Sequence, residues 1–237
     1  MFVLAAIPVL LAVLRSAAAQ TPPGFPIAVS EFLSVTYENT TLQPAGKQLS
    51  RPETRMPPSI LPPASLPPTS QSILFMIDLD VPKRDNTTRE MSLHWFVPSI
   101  PPPSPPGSAL LIPIPPPGTP YRQPSPPPND FAHRYVFLLY AQPAGFVIPQ
   151  SYANINPARS REDRVGFDIR RFVKEAKLGK VLAASWVEVR NGTGAGTGWP
   201  PLRTTAPPEA KSGGGKIGVK GWVVGVLVGV WGVGMGI

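Results

Sequence analysis

His94 and His133 are the only imidazoles in the 237 residues. Both sit in runs rich enough in apolar and aromatic residues to be strands. Upstream, Asp78-Leu79-Asp80-Val81-Pro82 sets two carboxylates at i, i+2, on the same side of an extended chain. Like charges that close repel unless cations, hydrogen bonds or a proton separate them. Alone, the pentad reads equally as a solvated strand-end turn. His94 lies in Leu93-His94-Trp95-Phe96-Val97, whose neighbouring side chains point the other way; a lone strand histidine is often just a hydrogen-bonded core residue. In His133-Arg134-Tyr135 the alternation puts His133 and Tyr135 on one face, while Arg134 points away and is free to pair with an acid. Three outcomes are open to this set. Two imidazoles facing one cavity beside an aspartate are kept cationic and donate to a phosphate or carboxylate oxygen, with Tyr135 adding a neutral O–H. Asp78, His94 and His133 also make a two-histidine, one-carboxylate set for a metal, or a general acid–base pair. The third outcome is a pocket that merely packs.

The residue types that are absent narrow the field. The chain has no cysteine, which removes disulfide frameworks, thiol catalysis and Cys-ligated zinc or iron–sulfur centres. Two histidines cannot make a three-histidine metal site. No Gly-x-Ser-x-Gly elbow, phosphate-binding Gly-Lys loop or His-Glu-x-x-His helix is present. The expectation is therefore a non-enzyme with no cofactor and no resident metal. Lys and Arg total 22 against 14 Asp and Glu, but the basic residues are scattered, with one concentration at Arg159, Arg161, Arg164, Arg170 and Arg171. No basic stripe interleaved with aromatics supports nucleic-acid binding.

The elements that must position these groups are mostly strands. Segments 28–37, 73–79, 93–97, 135–140 and 181–189 have strand composition and are flanked by Pro, Gly, Asn or Ser. The run Ile73-Leu74-Phe75-Met76-Ile77 is apolar on both faces, as a central strand covered on each side must be. Segments 52–68 and 98–128 are too proline-rich for inner strands, because proline lacks the ladder N–H, and they read as long surface loops. One helix is expected. Asp168 is its N-cap, Ile169, Phe172, Val173 and Ala176 form its apolar stripe, and Gly179 ends it. The fold class is thus mainly β, with a few short helices and long Pro-rich loops.

Both ends read as processing signals. Residues 1–19, apolar from Phe2 to Leu14 and then Ala17-Ala18-Ala19, match a secretory signal peptide. At the other end a Gly/Pro-rich linker over 196–215 precedes a hydrophobic tail over 216–237. Its last sixteen residues carry no charge, which is short of the ~20 needed to span a bilayer. Small residues, a polar spacer and a terminal apolar tail match a GPI signal with Ser212, Gly213 or Gly214 as the attachment site. Three sequons, at Asn39, Asn86 and Asn191, agree with the secretory route. The expected product is a glycoprotein with a domain over 20–195, tied by a lipid anchor to the outer face of the plasma membrane or to the cell wall.

Taken in order, Asp-x-Asp-x-Pro, Leu-His-Trp, a Pro-Pro loop, His-Arg-Tyr with Tyr140-Ala141-Gln142-Pro143, and the Phe167-Asp168 helix with Leu178-Gly179 resemble the phosphatidylethanolamine-binding protein family. The likeness runs over about 73–189 and is strongest to the secreted, GPI-anchored fungal type. It implies an antiparallel β-sandwich with a small anion pocket at one end. Carried over, the pocket residues are Asp78, His94, Pro127, His133 and Tyr135, with Asp80 and Arg134 as structural neighbours. The function so implied is non-enzymatic binding of a phosphate- or carboxylate-bearing ligand, such as a phospholipid headgroup. The alternative is inhibition of a serine carboxypeptidase or another protease, which some fungal relatives perform. Two departures stand out: Leu79 where the family often has proline, and Asn129-Asp130-Phe131-Ala132 where many members have glycines.

Overall fold

The computed structural model describes residues 19–67, 69–84, 88–113 and 117–192. The signal-peptide run, the linker, the anchor signal and Asn86 lie outside the described residues. Of the other sequons, Asn39 is exposed in the turn after the first strand, and the Asn191 amide donates to the Pro126 carbonyl at 2.9 Å.

Among the described residues eight strands form two sheets: β1 (Ser34–Tyr37), β2 (Thr40–Thr41), β3 (Lys47–Ser50), β4 (Ser59–Leu61), β5 (Ser72–Pro82), β6 (Arg89–Ile100), β7 (His133–Ala141) and β8 (Ala183–Arg190). The small sheet has the order β2-β1-β4, and the large one β3-β8-β7-β5-β6. All pairs are antiparallel except β3 with β8, which run parallel, so the sandwich is mixed rather than wholly antiparallel.

The doubly apolar run at 73–77 lies inside β5, which is buried at every position but its last. Alternation splits its side chains between two cores. Leu74 and Met76 join Tyr135, Phe137 and Leu139 of β7 and meet Leu33, Val35 and Ile60 from the small sheet. Ile73, Phe75 and Ile77 face the helical side, where Phe75 packs on Phe96, Phe167 and Phe172 with ring centroids 5.0–6.1 Å apart. Each such buried side chain contributes about 1.5–3 kcal/mol. The large sheet is therefore covered on both faces, which explains why its inner strands read as unbroken apolar runs.

Proline placement follows the ladder rule more finely than composition suggests. Pro98 lies within β6, inside the segment expected to be loop, and β6 is an outer strand of its sheet, where proline is tolerated. The short β4 likewise borders the small sheet. The helix α1 (Ile169–Glu175) starts as expected, with the Asp168 carboxylate accepting from the Arg170 and Arg171 N–H groups. It ends earlier than Gly179. Lys177 takes up the left-handed conformation (φ 53°) and the Leu178 N–H turns back to the Val173 carbonyl at 3.0 Å.

Candidate functional site

Two irregularities in the β5–β6 ladder shape the site. Met76 pairs with Trp95 but Ile77 pairs with Leu93, so His94 is one extra residue on β6. Asp78 pairs with Ser92 but Val81 with Glu90, so β5 carries an extra residue just after Asp78. Bulges of this kind re-aim side chains. The second one overturns the expectation that Asp78 and Asp80 share a side. Asp78 turns to His133, whereas Asp80 turns to the opposite face and meets Arg134. The Asp80 N–H closes the bend by donating to Asp78 Oδ1 at 2.8 Å.

Asp80 and Arg134 form a bidentate pair. Arg134 Nε donates to Oδ2 at 2.8 Å, Nη2 to Oδ1 at 2.5 Å, and the Arg134 backbone N–H adds a third bond at 2.9 Å. Both are buried, and the pair clamps the end of β5 to β7 behind the site.

On the other face Asp78, His94, His133 and Pro127 line one cavity of about 170 Å³, together with Ser92, Ser125 and two arginines, Arg122 and Arg161. Asp78, His94 and His133 are buried at its floor. Asp78 Oδ2 lies 3.0 Å from His133 Nδ1 and 3.8 Å from His94 Nε2. The sequence thus identified four of the lining residues. Tyr135 differs: it does not line the cavity but sits wholly buried behind it, its ring 5.0 Å from that of His94. Burial, then the charge of Asp78 beside it, push its hydroxyl pKa well up.

The two imidazoles are not equivalent. Burial opposes a charge on His133, but the charge and hydrogen bond of Asp78, with a second carboxylate from Asp130 3.3 Å from Nε2, outweigh it and raise its pKa. His94 goes the other way. Burial lowers its pKa, Asp78 and the Arg122 carbonyl restore only part, and the charges of Arg122 and Arg164 lower it further. The expectation that the aspartate keeps both rings cationic holds for His133 and fails for His94. In its neutral form His94 donates from Nδ1 to the Arg122 carbonyl at 2.9 Å, which leaves a bare Nε2 toward Asp78. Asp78 stays ionised because the adjacent imidazolium overcomes its burial.

Asp130 was legible only as a departure from the family pattern. It takes a bidentate contact from Arg89, at 2.8 and 3.1 Å, and the Arg89 guanidinium stacks 4.5 Å above the Phe131 ring. Both nitrogens of His133 therefore face carboxylates, a poor arrangement for a metal ligand. Arg164, one of the concentrated basic residues, is buried beneath the site and donates to the carbonyls of Leu93, His94 and Pro120. Nothing in the spacing foretold Arg122. It arrives on an extended segment docked along β6, where Thr119 exchanges hydrogen bonds with Phe96 at 2.9 and 3.0 Å and the Arg122 N–H reaches the His94 carbonyl at 2.9 Å.

Comparison with known proteins agrees with this architecture. Residues 33–188 match the family model described as "Phosphatidylethanolamine-binding protein". A protein of Talaromyces stipitatus, "Phomoidride biosynthesis cluster protein N", is 31% identical over 180 residues, covering 72% of this chain and 89% of the relative. The "26 kDa secreted antigen" of Toxocara canis is 30% identical over 159 residues; the match takes in 67% of this chain but only 56% of that relative. Among solved structures, carboxypeptidase Y inhibitor in complex with its cognate proteinase aligns over 70% of this chain and 86% of its own, with TM-score 0.49 and 20% identity. The phosphatidylethanolamine-binding protein of Plasmodium vivax aligns over 68% and 87%, with TM-score 0.44 and 18% identity. With the family model spanning most of the chain, the protein belongs to the phosphatidylethanolamine-binding protein family.

Proposed function

We propose that this protein is a non-enzymatic binding module that holds a phosphate- or carboxylate-bearing ligand in the Asp78/His94/His133 cavity. The observation that carries the reading is the floor itself: one buried carboxylate flanked by both imidazoles of the chain at the base of an open cavity. A bound oxyanion oxygen would accept from Ser125 and, once protonated, from His94 Nε2, with the His133 imidazolium supplying charge from beneath. Because His94 starts neutral, binding takes up a proton.

Sulfate tests this, since its charge does not change between pH 7.5 and 5.5. In that window Asp78, with its lowered pKa, stays anionic, while the raised pKa of His133 keeps it the more readily charged of the two imidazoles. Imidazole protonation at the floor adds positive charge as pH falls, so affinity rises, by at most about tenfold per pH unit for each proton taken up on binding. His133→Gln leaves Asp78 an uncompensated carboxylate at the cavity floor, and sulfate affinity falls by about tenfold or more. Calorimetric or NMR titration of both proteins at both pH values decides the matter. Equal affinity for wild type and variant ends the assignment.

We further propose display at the cell surface as a secreted, GPI-anchored glycoprotein of the fungal type, on the strength of the terminal signals at 1–19 and 212–237 and the sequons. Treatment of intact cells with phosphatidylinositol-specific phospholipase C should release it. Retention on the cells would count against the anchor.

A further inference from the structure

The floor of the cavity carries no net positive charge. Asp78 cancels His133 and Asp130 cancels Arg89, each through direct contact. His94 adds nothing near neutrality. The floor supplies hydrogen bonds, and net attraction for an arriving anion must come from charge around it.

Two guanidiniums at the rim supply it. Arg122 and Arg161 line the same cavity and are exposed, and neither side chain forms an ion pair or hydrogen bond among the described residues. Arg122 is not swung out into solvent, because its charge is felt at both His94 and Arg164 beneath it. The acid next to Arg161 in sequence, Glu162, makes its hydrogen bonds to Ser160 and backbone and feels Arg161 only through its charge. Arg164 adds a buried guanidinium held by carbonyls and by no carboxylate. The chain thus surrounds a charge-balanced floor with unpaired positive charge.

We infer that Arg122 and Arg161 are specificity-determining residues that make the pocket prefer a phosphomonoester dianion over a zwitterionic phosphodiester headgroup. The inference rests on the pocket binding an oxyanion at all. Two charges on the ligand match two guanidiniums that no carboxylate hydrogen-bonds among the described residues, and arginine presents its donors in a fork suited to phosphate oxygens. A phosphodiester offers one negative charge and, in an ethanolamine headgroup, an ammonium that the rim repels. Selectivity therefore has an attractive and a repulsive part. Size points the same way: about 170 Å³ is the space of roughly five to six waters, enough for a phosphate group while the rest of the ligand leaves past the arginines.

Glycerol 3-phosphate and glycerophosphoethanolamine at pH 7.5 separate the two ligand types. Wild type should bind the monoester about twentyfold or more tightly. Arg122→Gln and Arg161→Gln should each weaken monoester binding about fivefold, and the double variant should bring the ratio to within a few-fold. Both side chains are exposed, so melting temperatures stay near wild type and binding losses report recognition rather than folding. A double variant that keeps the wild-type ratio overturns the inference, as does a wild type that binds both ligands equally, and in either case the pocket reading survives. Wild type that binds neither ligand refutes both.

Discussion

Arg134→Met is expected to destabilise the protein by about 3–5 kcal/mol. The change deletes the guanidinium that satisfies Asp80, whose side chain has 0% exposure, and strands a carboxylate between β5 and β7 with, among the described residues, only the residue-134 backbone N–H as donor. Taking a charge out of water is tolerable only while its partner is present. The intact pair need not be strongly stabilising for its breakage to be costly. The double variant Asp80→Asn/Arg134→Met removes the orphaned charge while an amide oxygen can still accept from the residue-134 N–H, so it should recover at least half of the loss. Urea unfolding of wild type and both variants measures this. A single-variant cost below about 1 kcal/mol would mean that water reaches Asp80 and that the clamp behind the site is not what fixes the end of β5.

Gly118→Ala carries the second large effect, and it links stability to the site. Gly118 has φ +83°, and a Cβ there would lie 2.5 Å from the Phe96 carbonyl oxygen and 2.9 Å from Pro98 Cδ. The left-handed backbone costs alanine about 1 kcal/mol or more, and relieving the overlap costs about 1–3 kcal/mol further. The obstacle is main chain in a sheet, so the 118–122 segment must shift. That shift pulls the Arg122 carbonyl from His94 Nδ1 and moves the rim arginine with it. Weakened anion binding should accompany a loss of about 2–4 kcal/mol. Gly107→Ala is the control, with a similar φ of +82° but nothing within 4 Å of its Cβ. Equal losses at the two positions would show that the docking of 118–122 against β6 is not tight.

Much of this arrangement was written in local pattern. The doubly apolar 73–77 run announced a covered central strand, and the Asp168 cap with its i, i+3, i+4, i+7 stripe announced α1, because both signals depend on neighbours within a few residues. The alternation in His133-Arg134-Tyr135 placed His133 toward the cavity and Arg134 toward an acid on the other face. The same rule failed at Asp78-Leu79-Asp80, since it assumes a regular ladder and a bulge interrupts this one. The strands β3 (Lys-Gln-Leu-Ser) and β4 (Ser-Ile-Leu) are too short to show a period; their existence depends on the edges of sheets built elsewhere in the chain.

Residue order and type alone determined that the chain is mainly β and that it carries two histidines with no thiols, while the grouping of Asp78, His94, Pro127 and His133 came from the family resemblance of their motifs. Tertiary structure decided what those groups are. Whether an imidazole is charged depends on which carboxylates, carbonyls and guanidiniums surround it, and here that meant Asp130 beside His133 but Arg122 and Arg164 beside His94. Those neighbours are 3 to 70 positions away in sequence, and Coulomb energies follow distance in space.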